Sequence, residues 1–239
     1  NKLLHSLITV SYCFEVSCIF YKKYFSKCSK SSKHFIYFYN EFINYPMKKI
    51  VVFCGSSLGF NPMYKEAAIE LGNYFAKNDI ELVYGGGKIG MMGILADTVL
   101  KHKGKVIGVI PKLLEKKEVV HTGVKEMIVC EKMSDRKVIM SKLVEGYITL
   151  PGGFGTLDEL FEALTLNQLQ IEQKPVGLLN MNGFFDAVLL QLDKMVAEGY
   201  LKQANRKMLL VGTSVNDLME KMNQYKAPKK TNVIHKVVN

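Results

Sequence analysis

The chain is short of several things at once: it has no tryptophan, 6 prolines and 5 cysteines in 239 residues, and only two arginines, Arg136 and Arg206, beside 30 lysines. Few prolines with 48% apolar and 23% charged residues exclude a disordered chain and leave enough apolar matter for one sizeable core. Cys13, Cys18 and Cys28 fall early, and from Met47 onward only Cys54 and Cys130 remain, each inside an apolar run. That spacing offers neither a disulfide framework nor a zinc site, and it fits a reducing, cytoplasmic compartment. The histidines His5, His34, His102, His121 and His235 form no HxxxH or HxH pair, so no metal is expected. Long apolar runs are missing too. Leu3 to Phe20 is broken by His5, Ser6, Ser11, Glu15 and Ser17, and it falls short of the ~20 apolar residues a membrane-spanning helix needs.

Acidic residues are also scarce, 22 against 32 basic ones, a net +10. Such an excess can serve nucleic acid or a membrane surface. Its distribution argues otherwise. Residues 1–46 hold Lys2, Lys22, Lys23, Lys27, Lys30 and Lys33 against Glu15 and Glu41, a net +4, which leaves +6 on the other 193 residues with no arginine cluster. Neither nucleic acid nor a membrane is expected as partner. The same 46 residues carry 12 of the 25 aromatics and no methionine, glycine or arginine. They read as upstream sequence or a targeting leader outside the fold, with the working domain over 47–225 and a polar tail over 226–239.

After Met47, short apolar runs alternate with stretches of helical period, the pattern of an α/β protein with a doubly wound parallel sheet covered on both faces. Strands are expected at 48–54, 80–84, 105–110, 125–130, 146–150 and 175–180. Helices are expected at 62–77, 91–102, 133–144, 156–171, 184–197 and 214–224. In such a sheet ligands bind beyond the carboxyl ends of the strands. The loops there are Gly55-Ser56-Ser57, Gly85-Gly86-Gly87-Lys88-Ile89-Gly90 and Pro151-Gly152-Gly153-Phe154-Gly155-Thr156.

The second loop satisfies GxGxxG between a strand and a helix, but the next strand ends in Pro111-Lys112 where a dinucleotide site wants an acid. Neither Gly87-Lys88 nor Gly104-Lys105 is followed by serine or threonine, so no Walker A loop is present. The third loop is more informative. Its glycines expose backbone N–H groups at a helix start, an anion cradle suited to a monophosphate. Thr156-x-x-Glu159 also fits a capping box, in which Glu159 only satisfies the helix end, and the two readings stand open. Arg136, in Met133-Ser134-Asp135-Arg136-Lys137, sits early in a helix where positive charge opposes the macrodipole. In so lysine-rich a chain, that placement points to a need for the planar guanidinium. The plainer alternative is a surface pair with Asp135 or Glu131.

Together, Cys54-Gly55-Ser56-Ser57, Tyr84-Gly85-Gly86-Gly87 with Gly90-Met91-Met92-Gly93, Met133-x-x-Arg136-Lys137 and the PGGxGTxxE run ending at Glu159 resemble the "lonely guy" (LOG) family. These are cytokinin riboside 5'-monophosphate phosphoribohydrolases, many of them labelled "possible lysine decarboxylase". The resemblance runs from about Lys48 to Val211. It implies a Rossmann-like fold, no cofactor, a homodimer, and hydrolysis of a purine nucleoside 5'-monophosphate, cytokinin-activating or AMP nucleosidase-like. It implies Arg136 and Glu159 as the catalytic pair. Substrate contacts are implied from Glu118, Met133, Lys137 and Thr165, from Gly152, Gly153, Phe154, Gly155, Thr156, Leu157 and Asp158, and from Ser56, Gly86 and Gly87. Two departures bear on base preference: Ser134 stands where the family often has histidine, and Thr165-Leu166-Asn167-Gln168 where it often has tryptophan before Ala-Gln. A non-hydrolysing nucleotide or cofactor carrier is the alternative on the same fold.

Overall fold

The computed structural model describes residues 47–115 and 120–228. Seven strands, β1 (Lys49–Phe53), β2 (Glu81–Tyr84), β3 (Val106–Pro111), β4 (Glu126–Cys130), β5 (Gly146–Thr149), β6 (Val176–Leu179) and β7 (Leu209–Gly212), form one parallel sheet in the order β4-β3-β2-β1-β5-β6-β7. Around them lie α1 (Pro62–Lys77), α2 (Gly90–Lys101), α3 (Lys112–Glu115), α4 (Met133–Leu143), α5 (Phe154–Gln168), α6 (Asp186–Ala197), α7 (Gln203–Arg206) and α8 (Val215–Asn223), with a short 3-10 turn at Met181–Gly183.

The strands alternate between two cores because successive side chains point to opposite faces. Ile50, Val52 and Cys54 join Leu71 and Phe75 of α1, Leu95 and Val99 of α2, and Leu218 and Met222 of α8. Val51 and Phe53 join Met140 of α4, Leu160 and Ala163 of α5, and Leu192 of α6. The result is the three-layer, doubly wound α/β arrangement that the alternating pattern implies. Each fully buried leucine or phenylalanine contributes about 1.5–3 kcal/mol, so both faces of the sheet are held by apolar burial.

The strand order places the site. The chain steps outward from β1 to β4, then returns to lay β5 on the other side of β1. That reversal opens a crevice beyond the carboxyl ends of β1 and β5. Local signals fix the element ends. Asn61 Oδ1 accepts from the Met63 N–H (3.0 Å) with Pro62 in the first turn of α1.

Several elements differ from expectation. β7, a four-residue strand at the sheet edge, and the short helices α3 and α7 were not anticipated. Helix α5 begins at Phe154 rather than at 156, with Gly153 as its cap residue.

At the opposite, amino end of the strands, Glu172 accepts hydrogen bonds from the hydroxyls of Ser141 and Tyr147. Lys174 Nζ lies 3.3 Å from Glu172 and donates to the Ser141 carbonyl at 2.6 Å. Burial works against the Glu172 charge, but the two hydroxyls and the ammonium outweigh it and hold the carboxyl below its usual range. A carboxylate with a lowered folded pKa contributes stability that is present above the unfolded pKa and lost as pH falls through the folded one. Glu172→Ala is expected to cost ~2 kcal/mol in urea unfolding at pH 7, with the gap to the unaltered chain closing in acid. Equal stabilities at pH 7 would contradict this.

Candidate active site

Three glycine-bearing loops leave the carboxyl ends of β1, β2 and β5 and are tied together. The Gly55 N–H donates to the Pro151 carbonyl (3.0 Å), and the Met91 N–H to the Gly55 carbonyl (3.1 Å). Glycine is needed where backbones meet. A Cβ at Gly90, whose φ is +62°, would sit 2.2 Å from the Ser56 carbonyl carbon, and one at Gly152 would sit 2.1 Å from Thr156 Oγ1 and 2.9 Å from the Gly55 nitrogen.

Gly153 and Gly155 are different. Among the described residues a Cβ at either would meet nothing within 4 Å, so their packing does not ask for glycine there. Open space faces them, beside the first turn of α5. Among the described residues no side chain caps that end, and its leading N–H groups, like those of any helix, lack intrahelical acceptors, the arrangement that binds anions. Phe154, between the two glycines, is almost fully exposed, while Thr156 is buried against Gly152. Because Gly153 caps α5, Thr156 lies inside the first turn and the capping-box alternative does not form.

Glu159 turns instead toward Arg136. Nη1 of Arg136, on the first turn of α4, donates to Glu159 Oε1 at 2.9 Å, and Nε donates to the Val109 carbonyl of β3 at 3.0 Å. The Glu159 side chain is 10% exposed and that of Arg136 15%, so the pair is largely out of water. The surface alternative for Arg136 is thereby corrected: its partner is Glu159, and Glu131 pairs with Lys112. Gly85 makes the room, since a Cβ there would lie 2.1 Å from Arg136 Nη2.

Burial pushes the Glu159 carboxyl above its usual range, and the Arg136 charge pulls it back without cancelling the rise. A carboxyl raised in this way is a stronger base than an ordinary glutamate. Cys54, close by, is no nucleophile. Burial first, and then the Glu159 charge, push its thiol far up, so no thiolate forms.

The other expected residues fall around this pair. Lys137 bonds Asp158 (3.0 Å) and Glu162; burial works to lower its pKa, but those two carboxylates outweigh it and keep the ammonium charged. Met133 Sδ lies 3.9 Å from Arg136 Nη1. Ser56 is exposed in the first loop, and Leu157 packs on the second core. Gly86 has φ +75°, and Gly87 bridges to Val120. Thr165 is exposed, with Oγ1 bonded to the Phe161 carbonyl (2.7 Å). Glu118 lies outside the described residues.

Sequence reasoning placed Gly85 in a glycine loop without its role of making room for Arg136, and passed over the Val109 carbonyl. The three consecutive glycines were a signal for the first; nothing in a sequence marks the second. Among the described residues no three of His, Cys, Asp and Glu gather as a metal site, and no helix is long and apolar enough to cross a membrane.

A doubly wound sheet whose switch point carries a glycine-lined helix start and a buried arginine–carboxylate pair defines a Rossmann-like protein. The comparisons narrow that class. A family model described as "Possible lysine decarboxylase" matches residues 92–222. The cytokinin riboside 5'-monophosphate phosphoribohydrolase LOG1 of Arabidopsis thaliana is 44% identical over 178 residues, 74% of this chain and 84% of the relative. The chain belongs to this family, the LOG family. Among solved structures, the molybdenum cofactor binding protein of Rippkaea orientalis superposes with a TM-score of 0.56 at 25% identity, over 72% of this chain and 94% of that one. The Moco carrier protein of Chlamydomonas reinhardtii gives 0.56 at 21%, over 74% and 95%, a likeness of fold.

Proposed function

We propose that this protein hydrolyses the N-glycosidic bond of a purine nucleoside 5'-monophosphate, AMP or an N6-modified AMP, releasing the free base and ribose 5-phosphate. The observation that carries the reading is the buried Arg136–Glu159 pair beside the open, uncapped start of α5. The N–H groups around Gly153 and Gly155 hold the 5'-phosphate and so fix the ribose against the pair. As the bond from C1' to the base nitrogen breaks, its electron pair leaves with the base and the ribose gains oxocarbenium character. The Glu159 carboxylate stabilises that charge and takes a proton from the attacking water, whose oxygen bonds C1'. The proton then passes to the base. Arg136 holds Glu159 in place and in its ionised form. The relatives' names point to the same reaction. Its signature is a phosphate requirement: AMP releases adenine while adenosine, lacking the cradle's ligand, reacts ~100-fold more slowly or worse. Equal rates would contradict the phosphate assignment.

The decarboxylase label does not fit these residues. Pyridoxal chemistry needs a lysine amine free to form a Schiff base, and Lys137, beside the pair, is held as an ammonium by two carboxylates. Of the two family departures, one puts Leu166 where the family often has tryptophan, and its neighbour Asn167 serves the fold. It is buried, with Nδ2 on the Lys174 carbonyl (2.6 Å) and Oδ1 accepting the Lys174 N–H (3.3 Å). Ser134 is exposed on the first turn of α4, two residues before Arg136, and both Ser134 and Leu166 bear on base preference.

The likeness to molybdenum cofactor carriers favours a second reading, a carrier that binds without hydrolysis. A partner is supported by Phe154 and Phe161 of α5, seven apart, and by Leu169 just past its end, which are all exposed. A second copy of this chain covers them. Light scattering is expected to give a dimer and Phe161→Glu a monomer; a monomeric parent chain would contradict the assignment.

A further inference from the structure

We infer that His121 is a positioning residue for the Arg136–Glu159 pair, holding the Gly85–Gly87 loop in the place the Arg136 guanidinium requires. The inference rests on the hydrolytic reading above, but its geometry stands separately. His121 is 7% exposed and belongs to neither apolar core. Every polar atom it has is used. Its backbone N–H donates to the Gly86 carbonyl (2.9 Å), and its carbonyl accepts from the Val124 N–H (3.2 Å). Nδ1 accepts from the Gly123 N–H (3.2 Å), and Nε2 lies 3.0 Å from Asp97 Oδ1 on α2.

A main-chain N–H only donates, so Nδ1 carries no hydrogen, and the ring's one hydrogen sits on Nε2 and goes to Asp97. One imidazole therefore joins the turn 121–124 to α2, while its own backbone grips the glycine loop. The grip matters because that loop has little latitude. Gly86 is at φ +75°, and a Cβ there would meet Met127 Sδ at 3.0 Å and Ile110 Cβ at 3.2 Å; Gly85, its neighbour, is the surface against which Arg136 Nη2 lies. A loop displaced toward Arg136 pushes the guanidinium off the Val109 carbonyl and Glu159.

Few side chains can replace the ring, since it accepts on one side and donates on the other. Asparagine keeps the near acceptor, with Oδ1 in the place of Nδ1. Glutamine keeps the far donor toward Asp97. The turn bond to Gly123 sets the backbone that grips Gly86, so asparagine is the conservative replacement.

The test compares the full chain with His121→Ala, His121→Asn and His121→Gln, by amide hydrogen exchange of peptides covering residues 84–92 and by steady-state release of adenine from AMP. In His121→Ala, exchange over 84–92 is expected to quicken about tenfold, and kcat to fall by about tenfold or more with KM changed less than threefold. His121→Asn is expected to restore both measures to within about threefold, and His121→Gln to restore neither. Unchanged exchange and kcat in His121→Ala, or a loss confined to KM, would overturn the assignment. If the alanine variant does not fold, equal kcat in the asparagine and glutamine variants overturns it. If the unaltered chain releases no base, the hydrolytic reading fails, and exchange alone decides: faster exchange over 84–92 supports the role of His121, and unchanged exchange removes it.

Discussion

Glu159→Gln is expected to lower base release from AMP by ~10³-fold while leaving the fold intact. The amide oxygen still accepts from Arg136 Nη1, so the 2.9 Å contact and the packing around it survive. What is lost is the charge that stabilises the oxocarbenium and the capacity to take a proton. Arg136→Ala stops turnover as well, but it also leaves Glu159 buried without its partner and is expected to destabilise the chain by about 3–5 kcal/mol. The two variants therefore differ in thermal unfolding and agree in activity. The pH profile follows from the same carboxylate. Burial raises its pKa and the reaction needs the ionised form, so the rate is lost as pH falls through that raised value. The acid limb of kcat/KM lies above the ordinary glutamate range and disappears in Glu159→Gln. Full activity in both variants would contradict the catalytic assignment.

The glycines supply a second test, because the structure separates those that serve packing from those that serve a ligand. At Gly85 an added Cβ would lie 2.1 Å from Arg136 Nη2. The obstacle is the tip of a flexible side chain, so Gly85→Ala is accommodated by moving the guanidinium rather than the backbone. A misplacement of that kind costs about 100-fold in kcat and less stability than Arg136→Ala, since the guanidinium is shifted rather than removed. Gly153→Ala is the mirror case. Its backbone, at φ −99° and ψ −151°, suits any residue, and the added methyl meets nothing within 4 Å. Stability is expected to stay within about 0.5 kcal/mol. The methyl fills the space beside the phosphate-facing N–H groups, and losing one hydrogen bond to a charged group costs about 1.5–3 kcal/mol, which corresponds to a rise in KM of about 10- to 100-fold. A Gly153→Ala variant with unchanged KM for AMP would place the phosphate elsewhere.

Much of this was legible in the sequence because the determinants are local. A parallel sheet writes itself as apolar runs between helical periods, and six of the seven strands and the longer helices lie within a few residues of where those periods put them. β7 escaped although it is no shorter than β2, β5 or β6. The start of α5 escaped because phenylalanine between two glycines gives no cap signal, whereas Thr156-x-x-Glu159 gives a false one. Arg136 stood out by its rarity, and its pairing with Glu159 came from the family resemblance rather than from composition or spacing. The contact with Glu159 spans 23 residues and depends on α4 and α5 lying side by side on one face of the sheet. His121 was weighed only as a metal ligand and set aside. Its role comes from contacts to Gly86, Gly123 and Asp97 that only the folded chain assembles.

The most direct measurement is chromatographic: free base released by the purified full chain from AMP, GMP, CMP and N6-isopentenyl-AMP, with ribose 5-phosphate quantified in the same samples. Hydrolysis predicts base and ribose 5-phosphate in equimolar amounts from the adenine nucleotides, faster than from CMP. If calorimetry shows AMP bound while no nucleotide in the panel releases base over hours, the chain is a carrier, and the hydrolytic role given to Arg136 and Glu159 is contradicted.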